Sequence, residues 1–200
     1  MNRIPLIILS AATMLAVTSH TAQAHVGIGQ TSGFVYGLGH PISGIDHILA
    51  MVMVGAFAAQ IGGRAMWLVP ATFVTVMVLG GSVGTASIGL PFVELGIGLS
   101  VLVLGAVVAL GLRIAVTLAM ALVGFFAMFH GYSHGAEMPA TGSGLGYGVG
   151  FVLATAALHA LGLGFGLVLS RGASGRGAHL VQATGSAVAL AGAVIVTGMF

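Results

Sequence analysis

Residues 34–61 read FVYGLGHPISGIDHILAMVMVGAFAAQI. The stretch is almost wholly apolar and long enough to cross a bilayer, which takes about 20 residues of helix. It is also interrupted, by Gly39-His40-Pro41 and by Gly44, and Asp46 and His47 follow at once. Proline disfavours helical geometry in the residue before it. The sequence therefore predicts a membrane helix that starts near Ser43. Residues 34–38 form a short turn or half-helix ahead of it, and His40 sits at the bend.

Working outward, five more apolar stretches follow at 65–80, 91–112, 114–131, 144–170 and 178–199. Each approaches the length a bilayer needs. The expected fold is all-α: a polytopic membrane bundle of six helices, the first interrupted near His40-Pro41. Composition agrees. Of 200 residues, 58% are hydrophobic and 4% charged, with no Lys, whereas soluble domains carry about 25% charged residues. The pI near 9.7 rests on a surplus of two charges, and there is no basic stripe of the kind nucleic-acid binding needs. The 34 Gly are scattered among long apolar runs, which excludes Gly-rich disorder. Their spacing at Gly142, Gly146 and Gly150, and again at Gly162 and Gly166, suits close helix–helix packing. The ten Met are scattered and read as packing residues.

Residues 1–24 have the form of a secretory signal peptide. Arg3 gives a positive start, an apolar stretch follows, and Ala22-Gln23-Ala24 is an A-x-A cleavage site. The domain division is then 1–24 leader and 25–200 membrane domain, with His25 as first mature residue. An α-amino group beside an imidazole forms a potential chelating pair. In the six-helix arrangement Arg64, Arg113, Arg171 and Arg176 all fall in loops on one side. Positive loops face the cytoplasm. The expected location is a bacterial inner membrane, with the mature N-terminus and the C-terminus outside.

Ionisable residues inside a membrane are functional candidates by default, and here they converge. His40, Asp46 and His47 lie in the outward half of the first span, and Glu94 one turn inside the outward end of the third. His130, His134 and Glu137 share a face at the outward end of the fourth, provided helix extends that far. His159 sits near the middle of the fifth. Cysteine is absent, which excludes thiolate metal sites, iron–sulfur clusters, disulfides and a Cys nucleophile. Imidazole with carboxylate, and no thiolate, suits nickel, cobalt or zinc. A single intramembrane His often just hydrogen-bonds a neighbouring helix; the joint placement is what points to metal. Two other readings stay open on the residues alone. An intramembrane zinc hydrolase could use His130-x-x-x-His134, although a His-Glu-x-x-His motif is absent. A haem-binding electron carrier could use His47 with His130 as axial ligands.

The stretch His40-Pro41-Ile42-Ser43-Gly44-Ile45-Asp46-His47-Ile48-Leu49-Ala50-Met51 resembles the HPxxGxDHxxAM signature of the HupE/UreJ family of nickel/cobalt permeases. Pro91-Phe92-Val93-Glu94 and Phe129-His130-Gly131-Tyr132-Ser133-His134-Gly135-Ala136-Glu137-Met138-Pro139 resemble the family's other marked segments, in the same order. The resemblance covers essentially the whole mature chain. It implies a secondary permease associated with hydrogenase or urease maturation, with Ni²⁺ or Co²⁺ as transported substrate, Zn²⁺ also within reach of the ligand set, and no organic cofactor. By resemblance, His40, Asp46, His47, Glu94, His134 and Glu137 are important for transport, His130 matches the motif, and Phe73 matches a marked aromatic. His25 and His159 rest on placement. Expected partners are the bilayer and the ion, with room for a homo-oligomer. No G-x-x-x-x-G-K-[ST] loop occurs, which argues against ATP coupling within the chain. The expected route runs from capture by His130, His134, Glu137 and His25 to a site of His40, Asp46, His47 and Glu94, with His159 deeper.

Overall fold

The computed structural model describes residues 33–138, 143–170 and 176–198. The leader and His25 lie outside them. The described residues form seven α-helices, with no strand: α1 (Gly33–Gly39), α2 (Ile45–Ile61), α3 (Ala65–Thr85), α4 (Val93–Ala109), α5 (Val116–Ala136), α6 (Gly144–Ser170) and α7 (Arg176–Thr197). A 3₁₀ turn, His40–Ile42, joins α1 to α2.

The interruption expected at His40-Pro41 is present. The segment Gly33–Ile42 meets α2 at 79°. Ser43 closes the 3₁₀ turn by donating both its backbone N–H (3.1 Å) and its hydroxyl (2.6 Å) to the His40 carbonyl. Gly44 is then extended, and α2 starts afresh at Ile45. The Asp46 carboxylate accepts the His47 N–H at 2.8 Å, satisfying one of the first-turn donors that a helix start leaves without a partner.

Four helices, α3, α5, α6 and α7, are each long and apolar enough to cross a membrane, and α1 with α2 pass as one bent span. The remaining apolar helix, α4, is shorter than the stretch 91–112, with 17 residues. Pro91 supplies no backbone donor, Phe92 is left-handed at φ 58°, and Gly111 turns the chain at φ 63°. By contrast α5 runs past Gly131 to Ala136, which places both His130 and His134 on helix.

The bundle is built from helix pairs locked through glycine. A Cβ at Gly131 would collide with the Met77 carbonyl, and one at Gly135 with Gly81, so α3 and α5 touch backbone to backbone. Gly105, Gly185 and Gly192 do the same for α4 and α7, and Gly55 and Gly162 for α2 and α6. Gly37 and Gly150 seat α1 on α6. In lipid, where burying apolar surface gives little drive between helices, such close approach supplies the association. Helix α2 lies innermost, with Ala50, Met51, Val54 and Phe57 fully buried. The outer surface is apolar: Trp67, Phe92 and Leu145 are 74%, 76% and 80% exposed. The buried polar groups, His47, Ser100, His130, Thr155 and His159, lie inside. That inverted polarity suits lipid as solvent.

Candidate metal site

Two turns of α5 carry the site's core. His130 and His134, four residues apart, project from one face toward the start of α2. His47 Nδ1 lies 3.2 Å from His130 Nδ1 and 3.1 Å from His134 Nε2. These three ligand atoms all fall within 4.8 Å of one another.

A second group shares His134. The bend before α2 brings His40 Nε2 to Glu137 Oε2 at 2.9 Å, while His134 Nδ1 lies 3.8 Å from the same oxygen. Glu137 caps the end of α5 and is half exposed. The hydrogen bond from His40 holds its carboxyl below the usual carboxylate range, against the opposing effect of partial burial. His134 therefore presents Nε2 to the inner group and Nδ1 to the outer one.

Aromatic rings wall this column. Tyr36 stacks on His40 at 5.5 Å, and Phe151 sits 4.5 Å from His134 and 5.5 Å from His47. The Tyr147 hydroxyl donates to the His134 carbonyl at 3.2 Å. Phe73 stands between the inner group and His159, its ring 5.8 Å from His130 and 5.3 Å from His159. His159 is 2% exposed, and neither ring nitrogen has a hydrogen-bond partner among the described residues.

The grouping differs from the route expected along the sequence. His130 belongs with His47 in the inner cluster, and His40 belongs with His134 and Glu137 in the outer one. Asp46 and Glu94 fall in neither. Asp46 is engaged at the start of α2, and Glu94 lies exposed in the first turn of α4, near enough to Asp46 and Glu137 to interact with both charges.

The family model described as "HupE / UreJ protein" matches residues 13–195. The chain is 46% identical over 177 residues to "Protein HupE" of Rhizobium leguminosarum bv. viciae, covering 88% of this chain and 91% of the relative. No solved structure matches the chain. The chain belongs to the HupE/UreJ family. HupE/UreJ membership places it among accessory membrane proteins of the nickel/cobalt permease type rather than among enzymes.

In this HupE/UreJ chain the three motif segments, distant in sequence, lie at the His-rich end of the bundle. The opposite end carries Arg64 and Arg113 in the turns after α2 and α4. Gln60 ties those turns together by donating to the carbonyls of Val107 (3.3 Å) and Leu112 (2.8 Å).

Sequence reasoning missed two hydroxyls. Ser100 Oγ is 2.8 Å from His130 Nε2, and Thr155 Oγ1 is 3.5 Å from His47 Nε2. Thr155 had a readable signal. Tyr147, Phe151, Thr155 and His159 recur every fourth residue along α6, and all four are buried. Ser100 had none, being a lone Ser in an apolar run.

Proposed function

We propose that the chain moves a divalent transition metal, Ni²⁺ or Co²⁺, from the outer side of the inner membrane to the cytoplasm without ATP, supplying hydrogenase or urease maturation. The observation that carries this is the spacing of His47 Nδ1, His130 Nδ1 and His134 Nε2. Two nitrogens each 2.0–2.1 Å from one ion lie about 2.8–3.0 Å apart at right-angle coordination and about 3.3–3.4 Å apart at tetrahedral coordination. The distances of 3.2 and 3.1 Å fall in that interval. A haem between His47 and His130 would instead set opposed nitrogens about 4 Å apart, twice an imidazole–metal bond.

The ion is captured by His40, His134 and Glu137 at the outer mouth, with His25 and the charges of Asp46 and Glu94 adding attraction. It passes across His134, from its Nδ1 side to its Nε2 side, into the site of His47 and His130. His159, beyond Phe73, receives it deeper. The chain crosses the membrane six times after leader cleavage at Ala24, with the 17-residue α4 as the short third crossing. The Arg-bearing end faces the cytoplasm, so the His-rich end and both mature termini face outward. An inside-negative potential drives entry by about 2.3 kcal/mol per charge per 100 mV, hence about 4.6 kcal/mol for a divalent ion.

Uptake of radiolabelled nickel and cobalt into right-side-out vesicles bearing the protein tests this. Saturable accumulation that collapses with the membrane potential and in Asp46→Asn and His47→Ala supports it. Uptake equal to that of empty vesicles overturns it.

A further inference from the structure

Each inner imidazole has one nitrogen facing the shared point and the other facing a different residue. Ser100 is fully buried. Its hydroxyl has one proton, given to the Ile97 carbonyl at 2.6 Å, since a carbonyl can only accept. With that proton on Ile97, the 2.8 Å contact between Ser100 Oγ and His130 Nε2 is a hydrogen bond from Nε2–H to the hydroxyl oxygen. A neutral imidazole carries one ring proton, so His130 Nδ1 is left with its lone pair facing His47.

Thr155, also fully buried, repeats the arrangement more loosely on α6. When its hydroxyl proton turns to the Met77 sulfur at 3.8 Å, Oγ1 is left to accept from His47 Nε2 at 3.5 Å. At His134, Nδ1 has no hydrogen-bond partner among the described residues, while Nε2 lies 3.1 Å from the His47 Nδ1 lone pair and can donate to it.

We infer that Ser100 and Thr155 are positioning residues that hold His130 and His47 as their Nε2–H tautomers, so that both Nδ1 lone pairs point at one cation position. This rests on the metal reading of the triad. Two bare nitrogens 3.2 Å apart repel one another, and a divalent ion between them removes that repulsion. The hydroxyls thus leave the Nδ1 lone pairs of His47 and His130 facing a point that one cation can occupy. Partners that orient a ligating imidazole in this way are typically worth 10- to 100-fold in metal affinity.

The test is ¹⁵N NMR of the full chain in nanodiscs with labelled histidine, metal-free and at neutral pH. Protonated and bare ring nitrogens resonate far apart, so the tautomers are read directly on the wild type. Expected are Nε2–H at both His47 and His130. In Ser100→Ala, Nδ1–H appears at His130 and nickel affinity, measured by titration calorimetry, falls about tenfold or more. Ser100→Thr keeps the hydroxyl and restores both. Nδ1–H at His130 in the wild type overturns the inference, as does a Ser100→Ala protein with unchanged tautomer and unchanged affinity. Nε2–H tautomers in a wild type that binds no nickel would support the hydroxyl assignment while sinking the metal reading itself.

Discussion

His40 Nε2 donates to Glu137 Oε2 across 2.9 Å, tying the bend in front of α2 to the end of α5. The two residues are 97 positions apart and meet because Pro41 turns the chain while α5 continues five residues beyond Gly131. The pair sits above the inner imidazoles, where an entering ion would first meet a negative charge.

Glu137→Gln should therefore raise the KM for nickel uptake about tenfold, in line with the loss of one charged member of a metal-binding set, and change the maximal rate much less. The wild-type carboxyl is held below its usual range by His40, so it stays ionised as pH falls from 7 toward 5. Any loss of uptake over that interval therefore comes from groups other than this carboxylate, and the Gln variant should show the same pH midpoint. A midpoint that shifts with Glu137→Gln would contradict this division of labour. Initial rates across a pH series measure it.

His134 belongs to both ligand groups, whereas His130 belongs only to the inner one. His134→Ala should abolish uptake and reduce nickel binding at both positions. His130→Ala should abolish uptake yet keep weak binding at the His40–Glu137 mouth. Equilibrium dialysis with labelled nickel separates the two; equal residual binding in both variants would mean that the ring does not bridge the groups.

How much of this was legible in the sequence depends on what each residue's neighbours could reveal. The break at His40-Pro41 was readable because proline and glycine act locally on the backbone, and α1, the turn and α2 fall accordingly. The extent of α4 was not, since an apolar run continues through Phe92 although the backbone there is left-handed. That His40, His47, His130, His134 and Glu137 lie together was readable from residue type, but their partition was not. Whether His40 pairs with His47 or with Glu137 depends on a 79° bend that no spacing encodes. Ser100 was invisible because its role is set entirely by a nitrogen on another helix.

Glycine substitutions should separate packing from mere helix propensity. A Cβ at Gly131 meets the Met77 carbonyl, while Gly164 has nothing within 4 Å. Gly131→Ala must push α3 off α5, at a cost of about 1–3 kcal/mol for an overpacked contact, and it displaces His130 and His134 together. Gly164→Ala should be neutral or stabilising by up to about 1 kcal/mol. Thermal unfolding in detergent, followed by circular dichroism, orders the two. A Gly131→Ala protein as stable as wild type and fully active would show that the α3–α5 contact has slack.

The proposed deeper role of His159 would set transport against stability. Its two ring nitrogens are buried without a hydrogen-bond partner among the described residues, and leaving a buried polar group in that condition costs about 1–3 kcal/mol. A chain selected for stability alone would place an apolar side chain there, between Phe73 and the packed backbones of α2 and α6. His159→Leu should raise the unfolding temperature in detergent while lowering nickel uptake several-fold, with nickel binding to the His47–His130–His134 group intact. Retained binding with lost flux would assign His159 to passage beyond the inner site. Higher stability with full uptake would make the imidazole dispensable, and the deeper step would have to be sought elsewhere along the bundle.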